Sequence, residues 1–373
     1  MGGKSVTIKL KERLTSVRRG TIPCEKEAAG VKNVYIVTGA SGFLGNNLVR
    51  LLTQDPENQV RALVLPGDQS PGLEGLPCQI YYGDVTQEET LEELFQVPED
   101  VQVYVIHCAA VVSIKSKRDP KLYQVNVEGT KHVVDKTLAV GGKLIYVNSV
   151  HAIPEKPKGQ TLREVRWFHP DQVEGHYAKT KAQAAQLVLE AVWHRNLNAC
   201  IVQPSGMIGP YDYSGSHLTQ LFLDLCNGRL RASVKGGYDF VDVRDVAQGI
   251  LEACHRGRSG ESYVLSNRWV EIRELLDLIS QAARRKKIKV VLPMWLARAT
   301  APLSELYYAA LRQPPLYTSY SLYTLRANAQ FSHHKATLEL GYQPRDLSET
   351  VEDTVSWLEE TGMIAPLTGK EHQ

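Results

Sequence analysis

Tyr177 and Lys181 lie four residues apart in Tyr177-Ala178-Lys179-Thr180-Lys181, at the head of a run of apolar and small residues over 178–193. If that run is helical, both side chains share one face. A phenol with an ordinary pKa of about 10 is a poor general base near neutral pH, and a nearby ammonium favours its ionised form. The pair is therefore suited to passing a proton to or from an alcohol oxygen. Chance alone gives about one Tyr-x-x-x-Lys spacing in a chain of this composition, so the weight lies in its setting. A second chemical group is Thr38-Gly39-Ala40-Ser41-Gly42-Phe43-Leu44-Gly45, between the apolar run VYIVT and a helical pattern. Gly39 suits a tight turn, Gly42 a close approach of backbone to a pyrophosphate, and Gly45 tight helix–strand packing. Phosphates would then meet free N–H groups at the positive end of the helix.

The elements that must position these residues can be read from the pattern. Strand candidates are 34–38, 59–65, 78–82, 103–108, 143–148 and 198–203, with helical stretches near 43–53, 86–95, 120–140 and 175–195. Continuous apolar runs alternating with helices imply right-handed crossovers and a doubly wound parallel sheet, an α/β Rossmann fold. Past Pro210 the rhythm changes: 216–228, 270–285 and 347–361 read as helices, 238–243 and 261–266 as short strands, and 293–345 is rich in Pro, Tyr and Leu. The expected division is an N-terminal extension over 1–32, a dinucleotide-binding domain over 33–210, and a smaller substrate-binding domain over 211–373 that returns some segments to the first.

With TGASGFLG written out, the GxxGxxG spacing resembles that of the extended short-chain dehydrogenase/reductases, the NAD-dependent epimerase/dehydratase superfamily. Further segments match in order: Gly83-Asp84-Val85, His107-Cys108-Ala109-Ala110, Asn126-Val127-Glu128-Gly129-Thr130, the run from Gln203 to Pro210, and Phe240-Val241-Asp242-Val243-Arg244-Asp245-Val246-Ala247. The likeness spans roughly 33–361. It implies that Gly39, Ser41, Gly42, Phe43, Leu44, Asp84, Val85, Ala109, Ala110, Pro204 and Met207 bind the cofactor, with Asp84 reaching the adenine. It implies that Lys181 holds the nicotinamide ribose beside Tyr177, and that Ser149 holds the substrate oxygen and stabilises developing alkoxide charge. Asn126 matches a helix position near the site, as a catalytic residue or as a buried amide bridging backbone groups. A homodimer through the helices at 120–140 and 175–195 is also implied.

NAD and NADP are told apart where the second strand ends, an acid gripping the ribose hydroxyls or an Arg accepting the 2′-phosphate. This chain has Leu65-Pro66-Gly67 there, with Asp68 a little beyond and Arg61 too early, which leans the expectation from NAD to NADP. Sugar-nucleotide members carry an Arg before the late Val-Asp-Val block, where this chain reads Tyr238-Asp239-Phe240. Loss of that bidentate phosphate partner points away from a sugar-nucleotide epimerase or dehydratase. The preferred substrate is a bulky, apolar alcohol or ketone of hydroxysteroid or dihydroflavonol type, touched by Ser149, His151 and Tyr238. For His151 a backbone-satisfied loop histidine is the competing reading. A non-catalytic cofactor-binding scaffold is the third alternative, disfavoured by the complete Ser149/Tyr177/Lys181 set.

Composition sets the outer limits. Apolar residues are 43%, charged residues 23% and formal net charge +2 over 373 residues, an ordinary globular balance with no case for a nucleic-acid partner. Cysteines 24, 78, 108, 200, 226 and 254 form no metal spacing and suit a reducing, cytoplasmic setting. No apolar run is long enough for a membrane span. His333-His334 reads as a helix start, and Arg284-Arg285-Lys286-Lys287 as a solvated helix end. Trp295, Leu296, Leu303, Leu306, Tyr307 and Leu311 read as small-domain core, with a substrate lid or membrane-surface stripe as alternatives.

Overall fold

The computed structural model describes residues 33–112, 119–297, 299 and 319–365. The expected 1–32 extension and Leu303, Leu306, Tyr307 and Leu311 lie outside the described residues. Seven strands form one parallel sheet: β1 (Asn33–Thr38), β2 (Asn58–Val64), β3 (Gln79–Tyr82), β4 (Gln102–His107), β5 (Lys143–Val147), β6 (Asn198–Pro204) and, from late in the chain, β10 (Ser262–Leu265). Their order is β3-β2-β1-β4-β5-β6-β10, so the chain reverses direction across the sheet between β1 and β4. In open α/β sheets the crevice at that reversal is where ligands bind.

The doubly buried strands explain themselves residue by residue. Along β1, Val34 and Ile36 join the core under the Gly129–Ala139 and His176–Arg195 helices, while Tyr35 and Val37 join the one under the Phe43–Leu52 and Val243–Arg256 helices. Both faces are covered, so no polar alternation survives.

Three further strands, β7 (Gly206–Ile208), β9 (Gly237–Asp242) and β11 (Arg268–Glu271), form a small mixed sheet, and β8 (Ala232–Val234) pairs with β12 (Val290–Leu292). Short strands β7, β8, β11 and β12 escape the sequence pattern because three or four residues give too little periodicity. The helices His217–Cys226, Ile272–Ala282 and Leu347–Glu360 cover the small sheet with their own apolar cluster.

Three expectations need correction. The 86–95 segment is two 3-10 turns, Glu88–Leu91 and Glu93–Phe95. Its Thr90 hydroxyl bonds the Asp84 amide at 2.9 Å and the Gln87 carbonyl at 2.7 Å, competing with a regular helical ladder. The 120–140 helix is broken into Pro120–Tyr123, a π-turn at Gln124–Glu128, and Gly129–Ala139. Trp295 is 71% exposed rather than core. His334 does open a helix, His334–Leu340, and the basic run begins past the end of Ile272–Ala282. Among the described residues the five cysteines are free thiols, no His/Cys/Asp/Glu cluster fits a metal, and no helix is long and apolar enough to cross a membrane.

Candidate active site

The glycine loop lies at the switch point. Gly39 has φ +65, and a Cβ there would come within 2.8 Å of the Ala109 backbone on the neighbouring strand end. A Cβ on Gly45 would come within 2.1 Å of the Gly39 carbonyl oxygen, so the Phe43–Leu52 helix approaches β1 as closely as backbone allows. Gly42 is the N-cap and brings no capping side chain, which leaves first-turn N–H groups available to an anion. The cradle therefore fits a dinucleotide pyrophosphate by its own geometry. Ala109 and Ala110 follow β4 half-buried beside it, Leu44 packs into the core below, and Phe43 is half-buried. Asp84 is half-buried, its Oδ1 held by the Thr86 amide at 2.9 Å and hydroxyl at 2.8 Å. Val85 is buried against Gly129. Pro204 ends β6, and Met207 in β7 pairs with Val241.

Asp68 is the unexpected member of this loop. Its Oδ2 accepts a 2.5 Å hydrogen bond from Ser41 Oγ, and its Oδ1 accepts from the Ser70 amide. The turn after β2 folds back and carries the carboxylate to the glycine loop. That removes the ground for the NADP lean, which rested on there being no acid at this edge; Leu65 is 53% exposed.

Tyr177 and Lys181 stand on one face of the His176–Arg195 helix, whose Ala178, Ala182, Ala184 and Ala185 are buried and let it lie close on the sheet. Lys181 Nζ donates to the Val147 carbonyl at 2.6 Å and sits 4.5 Å from the centre of the Tyr146 ring. Burial brings its pKa down to about 7, with the Cys108 thiol opposing. Burial pushes the Tyr177 phenol up to about 12, and the nearby Ser149 hydroxyl pulls the other way. Within the chain the lowering contribution comes from Ser149, and the Lys181 ammonium is aimed at the Val147 carbonyl. Serine and phenol thus lie near each other, and both carry a hydroxyl that a substrate oxygen could accept from.

Asn126 takes the bridging role. Its Oδ1 accepts from the Val111 amide at 2.8 Å, and its Nδ2 donates to the Val111 carbonyl and to Thr180 Oγ1, both at 3.1 Å. Thr180 Oγ1 in turn donates to the Tyr177 carbonyl at 2.8 Å. Asn126 therefore makes the backbone-bridging contacts of the second of its two expected roles. The π-turn that carries it is what aims the amide inward.

Beneath the cofactor loop runs a polar chain that sequence reasoning missed. Thr38 Oγ1 lies 2.7 Å from His107 Nδ1, and His107 Nε2 lies 3.0 Å from Thr130 Oγ1. Thr38 Oγ1 accepts from the Ala109 amide at 3.2 Å, so its own proton is left for Nδ1; Thr130 spends its proton on the Asn126 carbonyl at 2.7 Å. The network assigns a neutral imidazole carrying hydrogen on Nε2. Burial first, and then the Lys181 charge, bring His107 down to about 3, in agreement. A polar His closing an otherwise apolar strand was the available signal.

His151 faces Tyr238 and Tyr177. Its Nε2 is 3.1 Å from the Tyr238 hydroxyl, its ring stacks on Tyr238, and it meets the Tyr177 ring edge-on at 6.0 Å. Burial brings it down to about 4, so it is neutral at pH 7. His151 and Tyr238 form one wall of a cavity of about 520 Å³, whose other walls include Phe240, Ile272, Leu276 and Leu292. Its volume and apolar lining suit a ring-sized apolar ligand.

Comparison with known proteins agrees with this geometry. Residues 35–266 match the model of the NAD dependent epimerase/dehydratase family. Sterol demethylase protein B of Methylococcus capsulatus is 30% identical over 88% of this chain and 99% of its own. 3 beta-hydroxysteroid dehydrogenase type 7 of Mus musculus is 29% identical over 87% of this chain and 95% of its own. The crystal structure of gox2253 superposes with a TM-score of 0.76 at 31% identity, over 89% of this chain and 99% of that one. With the glycine cradle at the switch point and the family match over most of its length, this chain belongs to the NAD-dependent epimerase/dehydratase family.

Proposed function

We propose that the protein is an oxidoreductase acting on a secondary alcohol or ketone of a bulky, largely apolar substrate, of hydroxysteroid or dihydroflavonol type. The observation that carries the reading is the convergence of Ser149 and Tyr177 beside an apolar cavity whose near wall is His151 and Tyr238. Ser149 and Tyr177 hold the substrate oxygen; in reduction the phenol gives up its proton to that oxygen, and in oxidation it takes one back. A bound nicotinamide supplies or takes up the hydride. Lys181 holds the phenol's helix against β5 and offers its ammonium to the cofactor ribose, and the Asn126–Thr180 link keeps the Tyr177 turn in place. The proposed cofactor is NAD, because Asp68 offers the adenine ribose an acceptor and repels a 2′-phosphate. A homodimer is part of this reading, and sedimentation tests it; a monomer at micromolar concentration removes it.

The experiment is a screen of hydroxysteroids, flavanonols and aromatic ketones with NAD(H) and NADP(H), followed at the reduced-nicotinamide absorbance. Turnover of a ring-sized alcohol or ketone supports the reading. Epimerised or dehydrated nucleotide sugar as product overturns it.

A further inference from the structure

The cavity is not apolar all round. Arg229 and Arg231, on either side of Leu230 just ahead of β8, also line it, as does Asp224. The carboxylate of Asp224 is buried, accepts from Gln220 Nε2 at 2.8 Å and lies 3.7 Å from the Arg229 guanidinium, so these two charges offset each other. Arg231 has no hydrogen-bond or ion-pair partner among the described residues. His217, also in the wall, is held toward its neutral form by burial. The wall therefore carries one positive charge in excess, at Arg231.

An exposed arginine is ordinarily just solvated. This one lines the same cavity as His151 and Tyr238 and stands directly ahead of β8, whose three residues also line it, so a ligand filling the cavity would meet it. We infer that the substrate carries an anionic group, a carboxylate, sulfate or phosphate, at the end of its apolar body remote from the reacting oxygen, and that Arg231 receives it. A planar guanidinium binds such oxyanions with two parallel hydrogen bonds. The inference rests on the proposed reading of this cavity as the substrate site.

The test uses two 3β-hydroxysteroids with the same rings, one with an uncharged side chain and one with a side chain ending in a carboxylate. Affinity is measured by calorimetry and turnover by nicotinamide absorbance, for the wild type, Arg231→Ala and Arg231→Glu. The acid is expected to bind the wild type roughly 3- to 10-fold more tightly than its neutral counterpart. That ratio falls to about one in Arg231→Ala, inverts in Arg231→Glu, and shrinks at high salt. Equal affinity in the wild type, or a ratio unmoved by Arg231→Ala, overturns the inference and leaves the apolar-substrate reading standing. Tighter binding of a uridine diphosphate sugar than of either steroid overturns that reading and the inference with it.

Discussion

At the residue scale, the division of labour around Tyr177 yields separable outcomes. Tyr177→Phe removes the transferable proton and keeps the ring, so turnover should fall by roughly two to four orders of magnitude with cofactor affinity nearly intact. Titration of both enzymes with the reduced cofactor checks the second half. Ser149→Ala removes the contact that pulls the phenol pKa down, so the acid limb of the alcohol-oxidation profile, where activity rises as the phenol ionises, should move to higher pH. A limb that stays put would assign the lowering to Lys181 after all. Asp68→Asn should raise the preference for NADP(H) over NAD(H) by about tenfold or more, since it removes a like charge from the 2′-phosphate. A wild type that already prefers NADP(H) would show that the Ser41–Asp68 pair does not face the ribose.

His107 carries a stability prediction with a definite sign. Its folded pKa of about 3 lies below the ordinary 6.5, so between those values the unfolded chain binds more protons and acid favours unfolding. The loss begins as pH falls below about 6.5 and levels off near 3. At pH 5 it is on the order of 2 kcal/mol for this group alone. Asp239, raised to about 6 by burial, works in the opposite direction over part of that range. The comparison is therefore wild type against His107→Asn by denaturant unfolding at pH 7.5 and 5. The variant should lose less stability on acidification, and equal losses would mean that His107 is protonated in the fold.

At the scale of elements, the glycine cradle is where a single methyl group is decisive. The Cβ of Gly45→Ala would face backbone atoms of Gly39 and Ala40 at 2.1 and 2.8 Å, which no side-chain rotation relieves. The Phe43–Leu52 helix must then lift off β1, at about 1–3 kcal/mol of stability and with cofactor affinity reduced by about tenfold or more. Thermal melts and cofactor titration measure both, and wild-type binding by the variant would disprove the close approach. The helices that were legible are those with a full apolar face. The broken one was not, because Asn126 turns inward to Val111 and Thr180, a partnership made across the fold.

For the whole molecule, the relation between the sheet and the smaller layers shapes the cavity. Tyr238 lies on β9, His151 follows β5 and Leu292 lies on β12, yet all line one cavity. Burying apolar rings against such walls contributes roughly 25 cal/mol per Å². Tyr238→Arg would place a cation beside that surface and remove the His151 partner, so affinity for an apolar steroid should fall by about tenfold or more. Gain of nucleotide-sugar binding by this variant, with steroid binding unchanged, would show that the wall is not apolar in function.

The sequence alone determined the parallel sheet, the glycine cradle and the Tyr177–Lys181 face. Each depends on spacing within one strand, turn or helix, and local periodicity carries that information. Only the tertiary structure decided that Asp68 reaches Ser41, that Asn126 bridges Val111 and Thr180, that His151 answers to Tyr238, and that Arg231 borders the cavity. Their partners lie 15 to 87 residues away along the chain, or on strands too short to show a period, and contact at that range is set by how the layers pack.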